Sequence, residues 1–179
     1  MRIGIIAMAR SGGHNLGEWI SNELGSEFIH EPLLNGLNTD GRNIVVKWLI
    51  NEWDKMDTKP VMDKWIGLVR MDSRDCAISH LRAEQSGEWH IPYKLTDEWI
   101  SERETDIQTI TEWIGDLNNR MITQLDNVEL MVSYEGIYNS GEDIKRLTDY
   151  IGIKNPLYLH MLDKSNRLRN KILKSKTLI

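Results

Sequence analysis

An apolar run that breaks at a serine–glycine–glycine turn and resumes at once as an amphipathic helix opens this chain: IIAMARSGGHNLGEWI, residues 5–20. A strand delivered into a helix by glycines narrows the possible folds. The first N–H groups of such a helix have no intrahelical partner and aim at one point, which suits an anion. The phosphate loop G-x-x-x-x-G-K-[ST] needs a lysine beside the terminal phosphates and a hydroxyl that holds magnesium. ARSGGHN has an arginine before the turn and neither of those residues after it. A turn without a ligand is the alternative, since glycines often mark strand-to-helix junctions. Position argues for the anion, because open α/β sheets place ligands beyond the carboxyl ends of their strands.

The rest of the chain repeats the alternation. Strand-like runs begin at Arg2 (RIGIIAMA), Glu27 (EFIHE), Asn43 (NIVVKWL), Trp65 (WIGLVR) and Val128 (VELMVSY). Helical patterns lie between them, the order expected of an α/β fold with a parallel central sheet covered by helices on both faces. The first helix runs from about His14 with Leu16, Ile20 and Leu24 on one face and Gly25 at its end; a second starts at Asp72 or Ser73. Between Thr96 and Asp126, Ile107, Ile110, Ile114, Leu117, Met121 and Leu125 recur at helical spacing, which predicts one long covering helix or a bent pair. Ser140 with Asp143 reads as a capping box for a helix that stops at Gly152. A length of 179 residues suits one domain, 1–179, with a basic tail (155–179) that is either a solvated surface or lies over an anionic ligand.

A net charge of −5 argues against a general nucleic-acid or membrane-surface binder and confines any anion site to a local pocket. Cys76 is the single cysteine, which excludes an internal disulfide and predicts a reducing, cytoplasmic setting. The apolar run before Arg10 is too short for a signal peptide or a membrane span, so export is not expected. Trp19, Trp99 and Trp113 fall at helical spacings that predict packing roles, while Trp48 and Trp89 lie beside the site segments and predict a stacking wall for a flat acceptor. The histidines show no metal-ligand spacing, and Cys76 reads as a packed thiol.

The motif Arg10-Ser11-Gly12, directly after the first strand, resembles the 5′-phosphosulfate loop of sulfotransferases that use 3′-phosphoadenosine 5′-phosphosulfate. That family usually has two hydroxyl residues after the glycine; here Gly13 and His14 stand there, followed by Asn15, and backbone N–H groups with the His14 ring are expected to take their place. A second segment, GLVRMDSRDCAISHLRAEQSGEW, ends a strand in Arg70 and places Ser79 in the next helix. The resemblance implies that these two bind the 3′-phosphate, a guanidinium giving paired contacts and a hydroxyl one more. AISHLRAEQSGEW is similar to the trehalose 2-sulfotransferase-like branch, IVVKWL resembles its third-strand region, and VSYEGI with IKRLTDYIGI resembles its common ending. The implied fold is the P-loop-like sulfotransferase fold, with the phosphosulfate as co-substrate and no metal.

Glu31, at the end of FIHE, is the first candidate for the base that takes the acceptor's proton, and His30 is its rival. Strand alternation predicts that these neighbours face opposite sides, so that only one reaches the site. Lys47 interrupts an apolar strand, which is costly unless the ammonium is paired, points into a polar cleft or guards a sheet edge. With Arg10 it is expected to stabilise charge on the leaving bisphosphate. The expected activity is sulfuryl transfer to a hydroxyl of a carbohydrate or small alcohol. A chain this short leaves few residues for acceptor loops, so an open site or one completed in a homodimer is expected. The alternatives are a nucleotide-binding protein without turnover and a small-molecule kinase.

Overall fold

A computed structural model of the chain describes residues 1–36, 38–87, 95–159 and 162, and of Leu34 the backbone alone. Five strands, β1 (Arg2–Ala7), β2 (Glu27–His30), β3 (Ile44–Leu49), β4 (Lys64–Val69) and β5 (Leu130–Ser133), pair in the order β2-β3-β1-β4-β5. Every pairing is parallel, so all five carboxyl ends lie along one edge. β1 sits at the centre: after it the chain crosses to β2 and β3 on one side, then to β4 and β5 on the other. The crevice beyond its end is where this topology puts a ligand.

Helices α1 (Gly13–Leu24), α7 (Tyr134–Tyr138) and α8 (Glu142–Ile151) cover one face of the sheet, and α3 (Ile50–Asp54), α4 (Ser73–Ser86) and α6 (Glu104–Gln124) the other. Two short helices, α2 (Pro32–Asn35) and α5 (Asp97–Glu102), complete the order. The two cores follow the period-2 alternation of the strands: Ile3, Ile5 and Ala7 pack with Leu16, Trp19 and Leu147, while Ile6 and Met8 pack with Trp48, Trp65, Cys76 and Ile114. Among the described residues no helix is long and apolar enough to cross a membrane.

The 96–126 segment takes the second of its two expected forms, a pair of helices broken at Arg103, with the Thr96 hydroxyl capping α5 by accepting from the Trp99 N–H at 3.2 Å. Other sequence expectations need correction. No capping box forms at Ser140. Left-handed Gly141 precedes α8 without a side-chain cap, and Asp143 turns away to accept from the Ser133 N–H (2.9 Å) and the Ser133 hydroxyl (3.1 Å). Trp48 is 1% exposed, its ring centre 5.5 Å from that of Trp65, so it cannot wall an acceptor. Trp113 was expected to pack but is 44% exposed on α6, beside the His80 ring. Trp89 and the basic residues from Lys164 onward lie outside the described residues.

The tryptophan layer dictates one glycine. A Cβ on Gly4 would drive into the Trp65 ring, which Trp48 and Trp53 hold from the other sides. Gly4→Ala is therefore expected to lower stability by about 1–3 kcal/mol, read as a drop in the midpoint of urea unfolding with an unchanged m-value.

Candidate functional site

β1 ends in a turn whose shape is set by close approaches. A Cβ on Gly13 would lie 2.9 Å from the Ala7 Cβ and 3.3 Å from Lys47 Cε, and left-handed Gly12 (φ 84°) lies against the Tyr138 ring. Tyr138 donates to the Gly12 carbonyl at 2.7 Å. Ser11 is buried and gives its hydroxyl to the Met8 carbonyl at 2.7 Å, so its side chain braces the turn from inside. α1 then opens without a side-chain cap, and the first amide to bond back into the helix is Leu16, to the Gly12 carbonyl at 3.1 Å. The amides of Gly13, His14 and Asn15 thus make up its first turn, the positive end of the helix dipole.

Two side chains of this region stand on strained backbone. Among the described residues the non-glycine positions with positive φ are Arg10 (66°) and Glu31 (47°), both sequence candidates. Left-handed conformations cost a non-glycine residue free energy and persist where the surroundings impose them. At Glu31 the imposing contacts are visible. Its amide donates to the Lys47 carbonyl (2.8 Å), and Asn35 donates to the carbonyls of His30 (2.8 Å) and Glu31 (3.1 Å).

This turn overrides strand alternation, which predicted that His30 and Glu31 would face opposite sides. The strand ends at His30, and the left-handed step swings the next side chain round. Glu31 Oε1 accepts from Lys47 Nζ and lies 3.1 Å from His30 Nε2. Lys47 is 3% exposed, in a strand flanked by β2 and β1, which excludes the edge-guarding reading. Burial pulls its pKa down, and Glu31 opposes that pull. For Glu31, burial pushes the pKa up, but the contacts with His30 and Lys47 prevail and hold it at about 2. The His30 ring stands edge-on to His14, centres 4.6 Å apart, and His14 Nε2 lies 3.3 Å from Glu18 Oε1, so β2, β3 and the start of α1 share one polar cluster.

Arg10 and Arg70 form the other half. Arg10 Nε donates to Ser79 Oγ at 2.9 Å, and Arg70 Nη1 donates to the Arg10 carbonyl at 2.9 Å. Arg70 and Ser79, paired in the sequence reading, therefore meet through Arg10. Arg70 is 6% exposed; the Tyr134 ring lies 4.4 Å beneath its guanidinium carbon, Nη2 bonds Asp75, and Nε is buried without a hydrogen-bond partner. Asn118 fixes the Arg70 carbonyl at 2.7 Å, and the Glu135 carboxylate accepts the amides of Met71 (3.0 Å) and Asp72 (3.2 Å). Sequence reasoning did not find Asn118, Tyr138 or Asn35, whose roles come from contacts between distant segments; Tyr134 and Glu135 were visible only as part of VSYEGI. Cys76 is buried against the Ala9 carbonyl, and burial pushes its thiol up to about 11, an unreactive state.

No protein-family model matches the chain, and no curated protein matches it. Among solved structures it is similar to mouse sulfotransferase SULT7A1 complexed with PAP, with a TM-score of 0.52 and 16% identity, covering 90% of this chain and 62% of that one. The chain thus spans less than two thirds of that protein's length, and at this identity the likeness is one of fold.

Glu31 carries a pH-dependent share of stability. Its pKa is lowered from 4.5 to about 2, so the contribution is complete above pH 4.5 and is lost as pH falls toward 2. At neutral pH Glu31→Gln strands the Lys47 charge and is expected to cost about 3 kcal/mol or more. The gap in Tm between wild type and variant should narrow steadily below pH 4.5, and a gap independent of pH would refute the ion pair.

Proposed function

We propose that this chain is a sulfotransferase that moves a sulfuryl group from 3′-phosphoadenosine 5′-phosphosulfate to a hydroxyl of a small acceptor, a carbohydrate or simple alcohol. The observation that carries the reading is the convergence on one crevice of an uncapped helix N-terminus, three cations (Arg10, Lys47 and Arg70) and the Glu31–His30 pair. A sulfotransferase of this fold complexed with PAP supports it. The acceptor assignment and the trehalose 2-sulfotransferase-like branch rest on the sequence resemblance alone.

The residues present fit such a co-substrate. The Gly12–Gly13 turn has no room for a Cβ on its inner side, which packs α1 against β1 and β3, and the Nη2 edge of the Arg70 guanidinium lies toward the exposed Asp75 carboxylate. The amides of Gly13, His14 and Asn15 and the Arg10 guanidinium would hold the 5′-phosphosulfate, and Arg70 with Ser79 the 3′-phosphate. The co-substrate supplies an electrophilic sulfur on a good leaving group, and charge grows on the bridging oxygen as the acceptor attacks in line. Lys47 and Arg10 meet that charge from fixed positions, so little reorganisation is needed.

Proton removal falls to the Glu31–His30 pair. A carboxyl held at about 2 is a weak base while it is paired with Lys47, whereas an imidazole is a base suited to neutral pH. That observation favours His30 as proton acceptor and Glu31 as the group that orients it. The two assignments separate by substitution: loss of turnover in His30→Asn with bisphosphate affinity kept marks His30 as the base, and turnover kept in that variant marks Glu31.

Calorimetric titration tests the donor site. Adenosine 3′,5′-bisphosphate is expected to bind at least about 30-fold more tightly than ADP or ATP with magnesium, and Arg70→Ala to abolish that preference. Tighter binding of ATP, or no binding, would refute the reading. Turnover separates an enzyme from a binding protein: Glu31→Gln should lose it while keeping bisphosphate affinity.

A further inference from the structure

Arg70 carries the largest commitment of charge in the crevice, and its contacts can be counted donor by donor. One N–H of Nη1 goes to the Arg10 carbonyl, Nε is enclosed, and the Tyr134 ring closes one face. The remaining outward edge, at Nη2, bonds the Asp75 carboxylate. The Arg70 side chain is 7% exposed whereas that of Asp75 is 57% exposed, so Asp75 covers the guanidinium from the solvent side. The neighbouring carboxylates are occupied elsewhere. Asp72 accepts the Asp75 amide at 2.8 Å, Glu135 holds two backbone amides, and Glu104 takes both Nη atoms of Arg74 at 2.7 and 2.8 Å.

We propose that Asp75 is an internal stand-in for the 3′-phosphate: it occupies the accessible edge of the Arg70 guanidinium and is displaced when a phosphomonoester binds there. This rests on the donor site set out under Proposed function. A buried guanidinium without a counter-ion is expensive, and a carboxylate from the first turn of α4 removes that expense with one exposed side chain that needs only a rotamer change to leave. A phosphate dianion cannot share the same edge with a carboxylate, because like charges in contact repel and the same N–H donors cannot serve both. Asp75 therefore sets a threshold. A ligand group with one weak negative charge gains little by replacing a carboxylate, while a dianion with three acceptor oxygens gains enough to displace it. The cost of displacing Asp75 falls on the 3′-phosphorylated nucleotide alone, because its unphosphorylated counterpart leaves the Asp75–Arg70 pair in place; Asp75 thus moderates the affinity that Arg70 provides.

The sign of one substitution decides it. In calorimetric titrations of the full chain, Asp75→Asn is expected to tighten adenosine 3′,5′-bisphosphate by about tenfold and to leave adenosine 5′-phosphate unchanged. Asp75→Ser serves as a second variant with the same expected direction. The effect should vanish in an Arg70→Ala background, because it acts through the guanidinium. Unchanged or weaker bisphosphate binding in both Asp75 variants, with wild type still preferring the bisphosphate, would show that Asp75 merely holds Arg70 in place, and would overturn the proposal while leaving the donor site standing. Equal tightening of both nucleotides would reduce the effect to general charge and also overturn it. A wild-type protein that does not distinguish the two nucleotides would overturn the donor site and the proposal together.

Discussion

A lysine ammonium buried inside a parallel sheet has to be given a negative partner, and the structure around β3 is arranged to supply one. Lys47 lies between β2 and β1, where water cannot reach it and no edge exists to let it escape. The partner comes from the end of β2, but a strand continued in register would not deliver it. The chain instead takes a left-handed step at Glu31, with Pro32 opening α2 behind it and Asn35 tying down the carbonyls of the turn. A strained residue is the consequence of satisfying a buried charge. The same step brings His30 beside the same carboxylate oxygen, so the pairing that stabilises the lysine also gathers the two groups proposed for proton transfer.

The second constraint is that the turn after β1 and the end of β4 must be rigid without filling their own crevice. Their supports come from behind. Tyr138 holds the Gly12 carbonyl, Tyr134 underlies Arg70, and Glu135 takes the amides of Met71 and Asp72, three consecutive functions from one five-residue helix. That helix is itself fixed by the Ser133 hydroxyl at its N-cap and by Asp143 reaching across from α8. Asn118 supports the Arg70 carbonyl from the opposite layer. Geometry imposed from outside the crevice leaves backbone amides and cation faces pointing into it, which is what binding by preorganised dipoles requires.

This division explains what the sequence could and could not disclose. Strand positions and the first helix follow from local periodicity and glycine placement, and both survive because each segment is buried in the manner its pattern implies. Lys47 was conspicuous for the same reason, as a charge where the pattern demands a hydrocarbon. Glu31 was legible as a residue but not as a geometry, since alternation assumes an unbroken strand and no local signal announces a left-handed step. Ser140 and Asp143 have the spacing of a capping box, yet the Ser133 amide and hydroxyl compete for the same carboxylate and win through tertiary contact. Trp48 and Trp113 exchanged roles because helical or strand spacing says which face a side chain takes, not whether another layer covers that face.

The three cations share a logic that bears on how a chain with a net charge of −5 would host the highly charged anion proposed for it. Each already has an internal partner: Arg10 has the Ser79 hydroxyl, Lys47 has Glu31, and Arg70 has Asp75. Three unpaired cations in one poorly hydrated crevice would repel one another and destabilise the fold. Paired, they are stable but quenched, so ligand affinity depends on how much better the ligand is than the partner it replaces. The pairs differ in this respect. Ser79 is neutral; Glu31 is 18% exposed and held by Lys47 with His30 beside it; Asp75 is 57% exposed and bonded through its side chain to Arg70 alone among the contacts described. Exchange is therefore cheapest at Arg70, where the proposed co-substrate would place its phosphomonoester, while Lys47 keeps its partner beside His30.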